Sequence, residues 1–375
     1  MKKLKIDIPF LISVSVLVIG GFLIFFSASM GLLSTQAVKY SGVTFSQIVF
    51  GLFFGILACI ITSRVDYKIY KKYAFYIFVF AILVNLLVFI PHIGVSINGA
   101  SRWIYIGPIS FQPSELLKFA FIIYLSAWFA STSNKATADK KGKKSLSFMY
   151  GLLPFVLILG VVGAILLKQP DTDTFLIICF SGLAIFLSSG GKWKHILILI
   201  LTGLLGLAVI ASMRPYVMSR ITTFLNPSAN ALGSGYQIQQ SLIAIGSGGL
   251  FGRGFGQSIQ KFNFLPEPIG DSIFAVASEE FGFVGACVII LLFIFFAFRG
   301  LKIAVKTSDN FGRLVVVGIV IMIVSQAFVN IGAMVGVLPL SGIPLPFISH
   351  GGTALFATLA EVGIVFNISK SAKKA

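Results

Sequence analysis

The sequence predicts an all-α integral membrane protein that crosses a bilayer about ten times. Of its 375 residues, 57% are hydrophobic and only 11% are charged. An average protein carries about 25% charged residues, so this chain has too few to cover a water-exposed surface. Long apolar runs alternate with short polar stretches, and a run of roughly 20 apolar residues can span the hydrocarbon core. A single polytopic membrane domain, residues 1–375, is therefore expected.

The apolar runs place each spanning helix. The first run follows Lys2, Lys3 and Lys5 as a signal peptide would, but it lacks a small-residue cleavage site and is long enough to span, which favours an uncleaved helix. The ten helices are expected at 8–28, 45–63, 73–90, 113–131, 148–167, 172–189, 195–213, 272–298, 313–337 and 351–368.

The basic residues predict the orientation of the chain. With the N-terminus inside, 21 of the 29 lysines and arginines fall in cytoplasmic segments, as the positive-inside rule requires. Both termini are then cytoplasmic, 132–146 is a cytoplasmic linker, and 214–271 is a long extracellular loop. The formal charge of +17 is spread in small groups between apolar runs, which indicates membrane topology rather than nucleic-acid binding.

The three cysteines lie in apolar segments without a CxxC spacing, so neither a disulfide framework nor a zinc site is expected.

The basic residues that do not fall in cytoplasmic segments lie on the predicted outer side, and acidic residues join them there. Chemistry is therefore expected on the outer face. The residues of this group are Lys39, Arg102, Lys118, Lys168, Arg214, Arg220, Arg253, Lys261, Glu115, Asp171, Asp173, Glu267 and Asp271.

The start of the fourth predicted helix carries an acid and a base. Glu115 and Lys118 are three residues apart and share one face of that helix. A charge near mid-bilayer costs roughly 2.5–3.5 kcal/mol on insertion scales, and pairing reduces that cost. The pair is either a structural salt bridge or a substrate contact. In the preceding loop, Arg102 and Trp103 are either an interfacial anchor or a holder for a lipid-linked phosphate.

Two further polar clusters precede helices. In the turn 168–173, Pro170 suits a tight turn, and Asp171 or Thr172 suits the cap of the next helix. Asp271 likewise stands where the eighth helix begins, so capping competes there with a role as general base for a sugar hydroxyl.

Irregular backbone is predicted in two places. Within 214–271, residues 236–245 are apolar enough for a re-entrant or interfacial helix, and the glycine-rich run 246–256 follows. In 342–353, two prolines and paired glycines interrupt regular helix before the tenth span. Broken backbone at membrane depth is tolerated where protein buries it or water reaches it, so this segment is expected to line a cavity, and His350 suits an interfacial side chain.

Together these clusters resemble the SEDS family (shape, elongation, division and sporulation) of bacterial wall synthesis, over about residues 8–370. The most specific stretch runs from Phe224-Leu225-Asn226-Pro227 through Gly233-Ser234-Gly235-Tyr236-Gln237 to Gly252. The form Leu265-Pro266-Glu267-Pro268 is more similar to the cell-division branch, FtsW, than to the elongation branch, RodA.

The resemblance implies a peptidoglycan glycosyltransferase of the cytoplasmic membrane that polymerises lipid II into a nascent glycan strand. By the family's pattern, Asp271 matches the essential outer-loop aspartate, Glu115 and Lys118 match a functional pair, and Arg102 lies in the matching loop. Where the family commonly has His-Thr before this aspartate, the chain has Ile269-Gly270, and where tyrosine is common it has His350. Roles for these three positions are not carried over.

The expected reaction is an inverting β-1,4 transfer in which Asp271 is the general base. The substrate-binding candidates are Arg102, Lys118, Glu115, Arg214, Arg220 and Arg253. A divalent cation, Mg²⁺ or Mn²⁺, is a further candidate for stabilising the leaving diphosphate, although no ligand cluster in the sequence demonstrates a site.

Two other functions compete with this one. The alternatives are a lipid II flippase, which needs a polar path through both leaflets, and a non-catalytic scaffold for division proteins. The family resemblance implies a class B penicillin-binding protein, a transpeptidase, as partner, together with other division proteins.

Overall fold

The computed structural model describes residues 6–35, 37–97, 100–106, 109–132, 137–138, 144–145, 148–213, 215–227, 233 and 235–371. Helices dominate these residues, and short strands occur in two connections. The helices are α1 (Ile8–Thr35), α2 (Ala37–Phe45), α3 (Phe54–Arg64), α4 (Lys68–Leu86), α5 (Pro113–Thr132), α6 (Leu153–Lys168), α7 (Thr172–Ser188), α8 (Trp193–Met213), α9 (Pro215–Leu225), α10 (Tyr236–Ser247), α11 (Ile273–Lys306), α12 (Asn310–Met334) and α13 (Gly352–Ser371).

The predicted spans are confirmed as helices. In the described part of the chain, nine helical segments are long and apolar enough to cross a membrane, and the shorter apolar helix α7 supplies the tenth. Two of the nine contain π-helical turns, Ser46–Phe53 before α3 and Phe148–Leu152 before α6. In α8, large side chains such as Leu197, Leu204 and Leu205 are exposed, as expected of a surface that faces lipid rather than water.

Two helices extend beyond their predicted ends. Helix α1 continues to Thr35 rather than 28, because the sequence stays uncharged and apolar there. Helix α11 continues to Lys306 rather than 298, and its last turns carry basic residues. Arg299 in this extension donates to Asp7 at 2.7 Å, so the extension is held against the start of the first span.

The connections between the spans contain more structure than the sequence predicted. The connection between α4 and α5 forms an antiparallel sheet of three strands, β1 (Gly94–Ile97), β2 (Ala100–Ile106) and β3 (Ile109–Phe111). A helix over 236–245 was predicted and is confirmed as α10, whereas α9 was missed. In the predicted linker 132–146, the described residues include the short strands β4 (Thr137–Ala138) and β5 (Lys144–Ser145); most of that linker lies outside the described residues.

Close backbone approaches hold the bundle together. Lipid tails are as apolar as leucine, so helices in a membrane associate through tight packing and hydrogen bonds. Helix α13 crosses α3 at Gly363, where an added methyl group would overlap the Cys59 carbonyl oxygen and the Thr62 hydroxyl. Beside this crossing, Thr62 Oγ1 donates to the Ala360 carbonyl at 2.8 Å. Helix α12 packs between α7 and α11 and supplies much of the buried core.

The start of α1 and the end of α13 lie at the same end of the bundle. The Asp7 amide donates to Ser369 Oγ at 3.4 Å, which joins the start of α1 to the last turn of α13. We call this the terminal end, and we call the other the cavity end, where α5 and α7 begin. The charge bias described above predicts that the terminal end is cytoplasmic.

Candidate active site

A cavity of about 980 Å³ opens at the cavity end of the bundle. Its walls come from β2, the first turns of α5 and α7, the loop before α11 and the irregular segment before α13. The prediction that 342–353 lines a cavity is confirmed, since Gly342 to Pro344 and His350 to Thr353 are among its lining residues. The charged lining residues are Arg102, Glu115, Lys118, Asp171, Arg220, Glu267 and Asp271.

Asp271 lines this cavity and does not cap α11. The N-cap position belongs to Ser272, and that position has no side-chain capping bond. The Asp271 main chain is fixed instead, because Asn330 Nδ2 of α12 donates to its carbonyl oxygen at 2.7 Å. The carboxylate therefore remains available to whatever occupies the cavity.

The surroundings of Asp271 favour its protonated form more than water does. Burial raises the pKa of the Asp271 carboxyl from 3.8 to about 6, and the neighbouring charge of Glu267 acts in the same direction. A hydrogen bond from Gln237 and the positive charge of Arg220 oppose this rise in pKa. A carboxylate with a pKa near neutrality is better matched to accepting a proton from a hydroxyl than an ordinary aspartate.

The loop that carries Asp271 is anchored through main-chain atoms. The amide of His350 donates to the Ile269 carbonyl at 2.7 Å, and Ser349 Oγ donates to the Gly270 carbonyl at 2.6 Å. The His350 ring stacks on Phe25 of α1 with centroids 6.0 Å apart. These contacts join the Asp271 loop to the segment before α13.

Glu115 and Lys118 form the expected pair on α5. Lys118 Nζ lies 2.9 Å from Glu115 Oε1, and both residues are at most 5% exposed. The same ammonium donates to Gln326 Oε1 of α12 at 2.9 Å, and Gln326 Nε2 donates to the Pro344 carbonyl at 2.9 Å. The pair thus links α5 to α12 and to the irregular segment, and it also lines the cavity. The position of Glu115 and Lys118 therefore allows both alternatives, a structural salt bridge and a contact with substrate.

Both cavity arginines are ion-paired with acids at the N-terminal end of α7. Arg102 Nη1 lies 3.7 Å from Asp171 Oδ1, and Arg102 Nη2 also donates to the Pro170 carbonyl. Arg220 Nη1 donates to both carboxylate oxygens of Asp173, at 2.9 and 2.6 Å. The sequence assigned this turn mainly to helix capping. Asp171 does occupy the N-cap position of α7, but no side-chain capping bond is formed there.

The two remaining predicted arginines are Arg214 and Arg253. Arg214 lies outside the described residues. Arg253 does not line the cavity. Its Nε lies 3.5 Å from Glu279 Oε1, and its amide donates to the Glu279 carbonyl at 3.0 Å, so it attaches the glycine-rich loop to α11.

A second buried polar cluster was missed by the sequence analysis. Lys261 is 1% exposed, and its Nζ contacts Glu280 Oε1 at 2.8 Å and Ser27 Oγ at 3.1 Å. Beside it, Glu279 accepts from Ser258 Oγ at 2.6 Å. The sequence feature that could have revealed this cluster is the presence of two adjacent acids, Glu279 and Glu280, inside an apolar predicted span. This cluster joins the long loop to α1 and α11.

Glu361 of α13 was missed for the same reason. It is 2% exposed, and its carboxyl lies within electrostatic reach of Lys118 and Glu115. An ionisable residue in a predicted span is by default a candidate for function, and here it adds a second acid behind the Lys118 pair.

The described residues supply no ready-made metal site. No group of three or more His, Cys, Asp or Glu side chains among them is arranged to hold an ion. Of the acids that line the cavity, Glu115 and Asp171 are paired with Lys118 and Arg102, whereas Glu267 and Asp271 make no ion pair with the described residues.

The fold and the cavity define a multi-pass membrane protein with a charged chamber at one end of its helix bundle. The chain belongs to the FtsW/RodA/SpoVE family, described as cell cycle protein, whose sequence model matches residues 8–374. This agrees with the family resemblance of the motifs. It also places the chain in the cytoplasmic membrane as a multi-pass protein.

Curated relatives support the assignment over most of the chain. Stage V sporulation protein E of Bacillus subtilis (strain 168) is 40% identical over 316 residues, covering 84% of each chain. The probable peptidoglycan glycosyltransferase FtsW of Geobacter sp. (strain M18) is 39% identical over 315 residues, covering 84% of this chain and 83% of the relative. A sporulation protein and a probable peptidoglycan glycosyltransferase are thus almost equally similar.

Solved structures share the whole fold. A chain from a structure on the coordination of polymerization and crosslinking by a peptidoglycan synthase complex superposes with a TM-score of 0.78 at 25% identity, covering 99% of both chains. The rod shape determining protein RodA of Thermus thermophilus superposes with a TM-score of 0.70 at 24% identity, covering 99% of this chain and 98% of RodA. The RodA match concerns the fold alone.

Proposed function

We propose that this protein is a peptidoglycan glycosyltransferase that polymerises lipid II at the outer face of the cytoplasmic membrane. One observation carries the proposal: a carboxyl group with a raised pKa, Asp271, shares a cavity with Arg102, Lys118 and Arg220. A base and cations in one chamber suit the transfer of a sugar from a lipid-linked diphosphate. The curated relatives named peptidoglycan glycosyltransferase support this reaction class.

Asp271 is the proposed general base. Its carboxylate takes the proton of the 4-hydroxyl of an acceptor sugar, and the hydroxyl oxygen then attacks the anomeric carbon of the donor. A new C–O bond forms as the bond between that carbon and the diphosphate oxygen breaks, which inverts the configuration. Proton transfer by a positioned side chain contributes typically about 10²–10⁴-fold to rate.

The proposed role of the cations is to stabilise the leaving group. Negative charge accumulates on the diphosphate as the bond breaks, so Arg102, Lys118 and Arg220 stabilise the transition state more than the ground state. Glu115 holds Lys118 in place at 2.9 Å. Arg253 is assigned to holding the loop, because it pairs with Glu279 away from the cavity lining.

A divalent cation is proposed only as a companion of the substrate diphosphate. We expect EDTA to slow polymerisation and Mg²⁺ or Mn²⁺ to restore the rate, because such an ion neutralises phosphate charge. Without substrate, the melting temperature of the protein should not respond to either ion, since an ion bound by the folded protein would stabilise it. Thermal melts with and without about 5 mM metal (roughly 100-fold above a dissociation constant of about 50 μM) check this. A metal-dependent melting temperature would reveal a protein site and contradict the expectation.

The acid side of the pH profile tests the base assignment. A base must be deprotonated to act, so kcat/KM should fall below a pKa of about 6, reaching about a tenth of its plateau one pH unit lower. Arg220→Gln removes a charge that favours the carboxylate, so the acid limb should move to higher pH. The measurement is initial polymerisation rate against pH in a constant-ionic-strength buffer. A rate that stays level down to about pH 5 contradicts the assignment.

A reconstituted assay separates the proposal from its rivals. Purified protein in vesicles with labelled lipid II should produce sugar chains. Relocation of the label without chains would indicate a flippase. Neither chains nor relocation, with the partner still recruited, would indicate a scaffold. The proposed partner, a class B penicillin-binding protein, is supported by the structural match to a peptidoglycan synthase complex. Addition of that transpeptidase should increase the rate and yield cross-linked strands.

A further inference from the structure

The N-terminal end of α7 contacts both arginines of the cavity. This turn, which we take as Pro170 to Asp173 and which includes the first two residues of α7, belongs to neither arginine's own segment: Arg102 is on β2 and Arg220 is on α9. The inference below rests on the proposed function, and it concerns how these two cations come to be placed for a diphosphate.

Asp173 is the more extensively bonded of the two acids. It is 9% exposed, and both of its oxygens accept from Arg220 Nη1, at 2.9 and 2.6 Å. Its Oδ2 also lies 3.4 Å from the amide of Gly342, which begins the irregular segment before α13. One carboxylate thus holds the long loop and the irregular segment against α7.

Asp171 makes the corresponding contact on the other side. It is 2% exposed, and its Oδ1 lies 3.7 Å from Arg102 Nη1. Arg102 also donates to the Pro170 carbonyl, so its guanidinium is held by the main chain of the turn as well as by the acid. Burial raises the pKa of Asp171, and the charge of Arg102 opposes that rise.

Helix capping alone does not account for these acids. Acidic residues in a first helical turn are favoured by the helix dipole alone, which needs no arginine partner. The Thr174 amide and hydroxyl lower the pKa of Asp171, as expected of a residue at the N-cap position, but each acid also pairs with an arginine from a segment distant in sequence. Both arginines also line the cavity.

We propose that Asp171 and Asp173 are positioning residues that set Arg102 and Arg220 as a paired cradle for the diphosphate of the lipid-linked sugar. An arginine side chain has several rotatable bonds, and ordering it costs free energy when a ligand binds. Anchoring both guanidiniums on one turn removes that cost beforehand and fixes their separation. Pre-organised cations stabilise developing charge without reorganising during the reaction.

A double-mutant cycle on Asp173 and Arg220 tests this. Asp173→Ala should raise KM for lipid II about tenfold and lower kcat as well, because a misplaced arginine contacts the diphosphate less in the ground state and loses still more in the transition state. Arg220→Ala should have a larger effect. The double variant should be no worse than Arg220→Ala alone, since the acid acts through the arginine. Asp173→Glu should partly restore KM.

Asp7 provides the matched control. It pairs with Arg299 at 2.7 Å with similar partial exposure, at the terminal end. Asp7→Ala should leave KM within about twofold, as expected for a partly exposed ion pair remote from substrate. Melting temperatures of all variants show which losses come from unfolding.

Two outcomes would overturn the proposal. Additive effects of Asp173→Ala and Arg220→Ala on KM would mean that the acid acts independently of the arginine. A lower KM in Asp173→Ala would mean that the acid competes with the diphosphate for the arginine. The same double-mutant cycle can be measured without turnover. For this, the dissociation constant of labelled lipid II is determined for each variant with Asp271→Asn also present. If wild-type protein binds lipid II but makes no chains, the proposed function fails while this binding cycle still tests the cradle.

Discussion

Asp271→Asn is expected to abolish lipid II polymerisation while the protein stays folded. Asparagine keeps the size of the side chain and can still accept from Gln237, but it cannot take a proton from a sugar hydroxyl. Loss of a general base typically costs about 10²–10⁴-fold in rate. The main-chain anchor from Asn330 to the Asp271 carbonyl does not depend on the side chain, so the loop should keep its position.

The measurement is glycan chain formation from labelled lipid II by purified variants at equal concentration. Asp309→Asn is a suitable control, because Asp309 caps α12 by accepting from the Gly312 amide at 2.9 Å and asparagine is a comparable cap. That control should polymerise at the wild-type rate. Wild-type turnover by Asp271→Asn would rule out the base assignment.

The largest effect on stability is expected at the buried pair Lys261–Glu280. Both side chains are at most 1% exposed, and their charged atoms are 2.8 Å apart. Removing one partner leaves an uncompensated buried charge, which costs about 3–5 kcal/mol. Lys261→Met should therefore lower the free energy of unfolding by that amount. Because this pair holds the long loop to α11, activity should fall with it.

Replacing both partners separates charge from packing. The double variant Lys261→Met, Glu280→Leu removes both charges and should recover much of the lost stability, since buried pairs can often be replaced by apolar residues of similar volume. Asp7→Asn at the partly exposed Arg299 pair should cost no more than about 1 kcal/mol. Denaturant titration in detergent measures all three. A Lys261→Met protein as stable as wild type would show that the pair contributes little.

The sequence predicted the spans because their signal is local. Runs such as those of α8 and α12 are predominantly apolar, so their positions need no knowledge of the rest of the chain. Helix α9 was missed because its 11 residues mix polar and apolar side chains within a loop. The three-stranded sheet was missed because its strands have only three to seven residues.

The members of the candidate site were largely predicted, but their pairings were not. Asp271, Glu115, Lys118 and Arg102 were proposed from motifs and do line one cavity. The pairing of Arg220 with Asp173 joins residues 47 positions apart, and no local pattern encodes such a contact. Charged residues inside spans, such as Glu280, could have been flagged, because an unpaired charge is costly in a membrane.

The way in which the Asp271 loop is anchored also explains how the chain tolerates unusual residues beside its proposed base. Three carbonyl oxygens, those of Ile269, Gly270 and Asp271, receive the anchoring bonds, and position 350 contributes its amide. Every amino acid except proline offers the same amide, and all offer the same carbonyl. Substitutions at positions 269, 270 and 350 therefore leave these main-chain bonds in place, provided that the new side chain fits the space available and position 350 is not proline. The neighbouring carboxylate then keeps its position in the cavity.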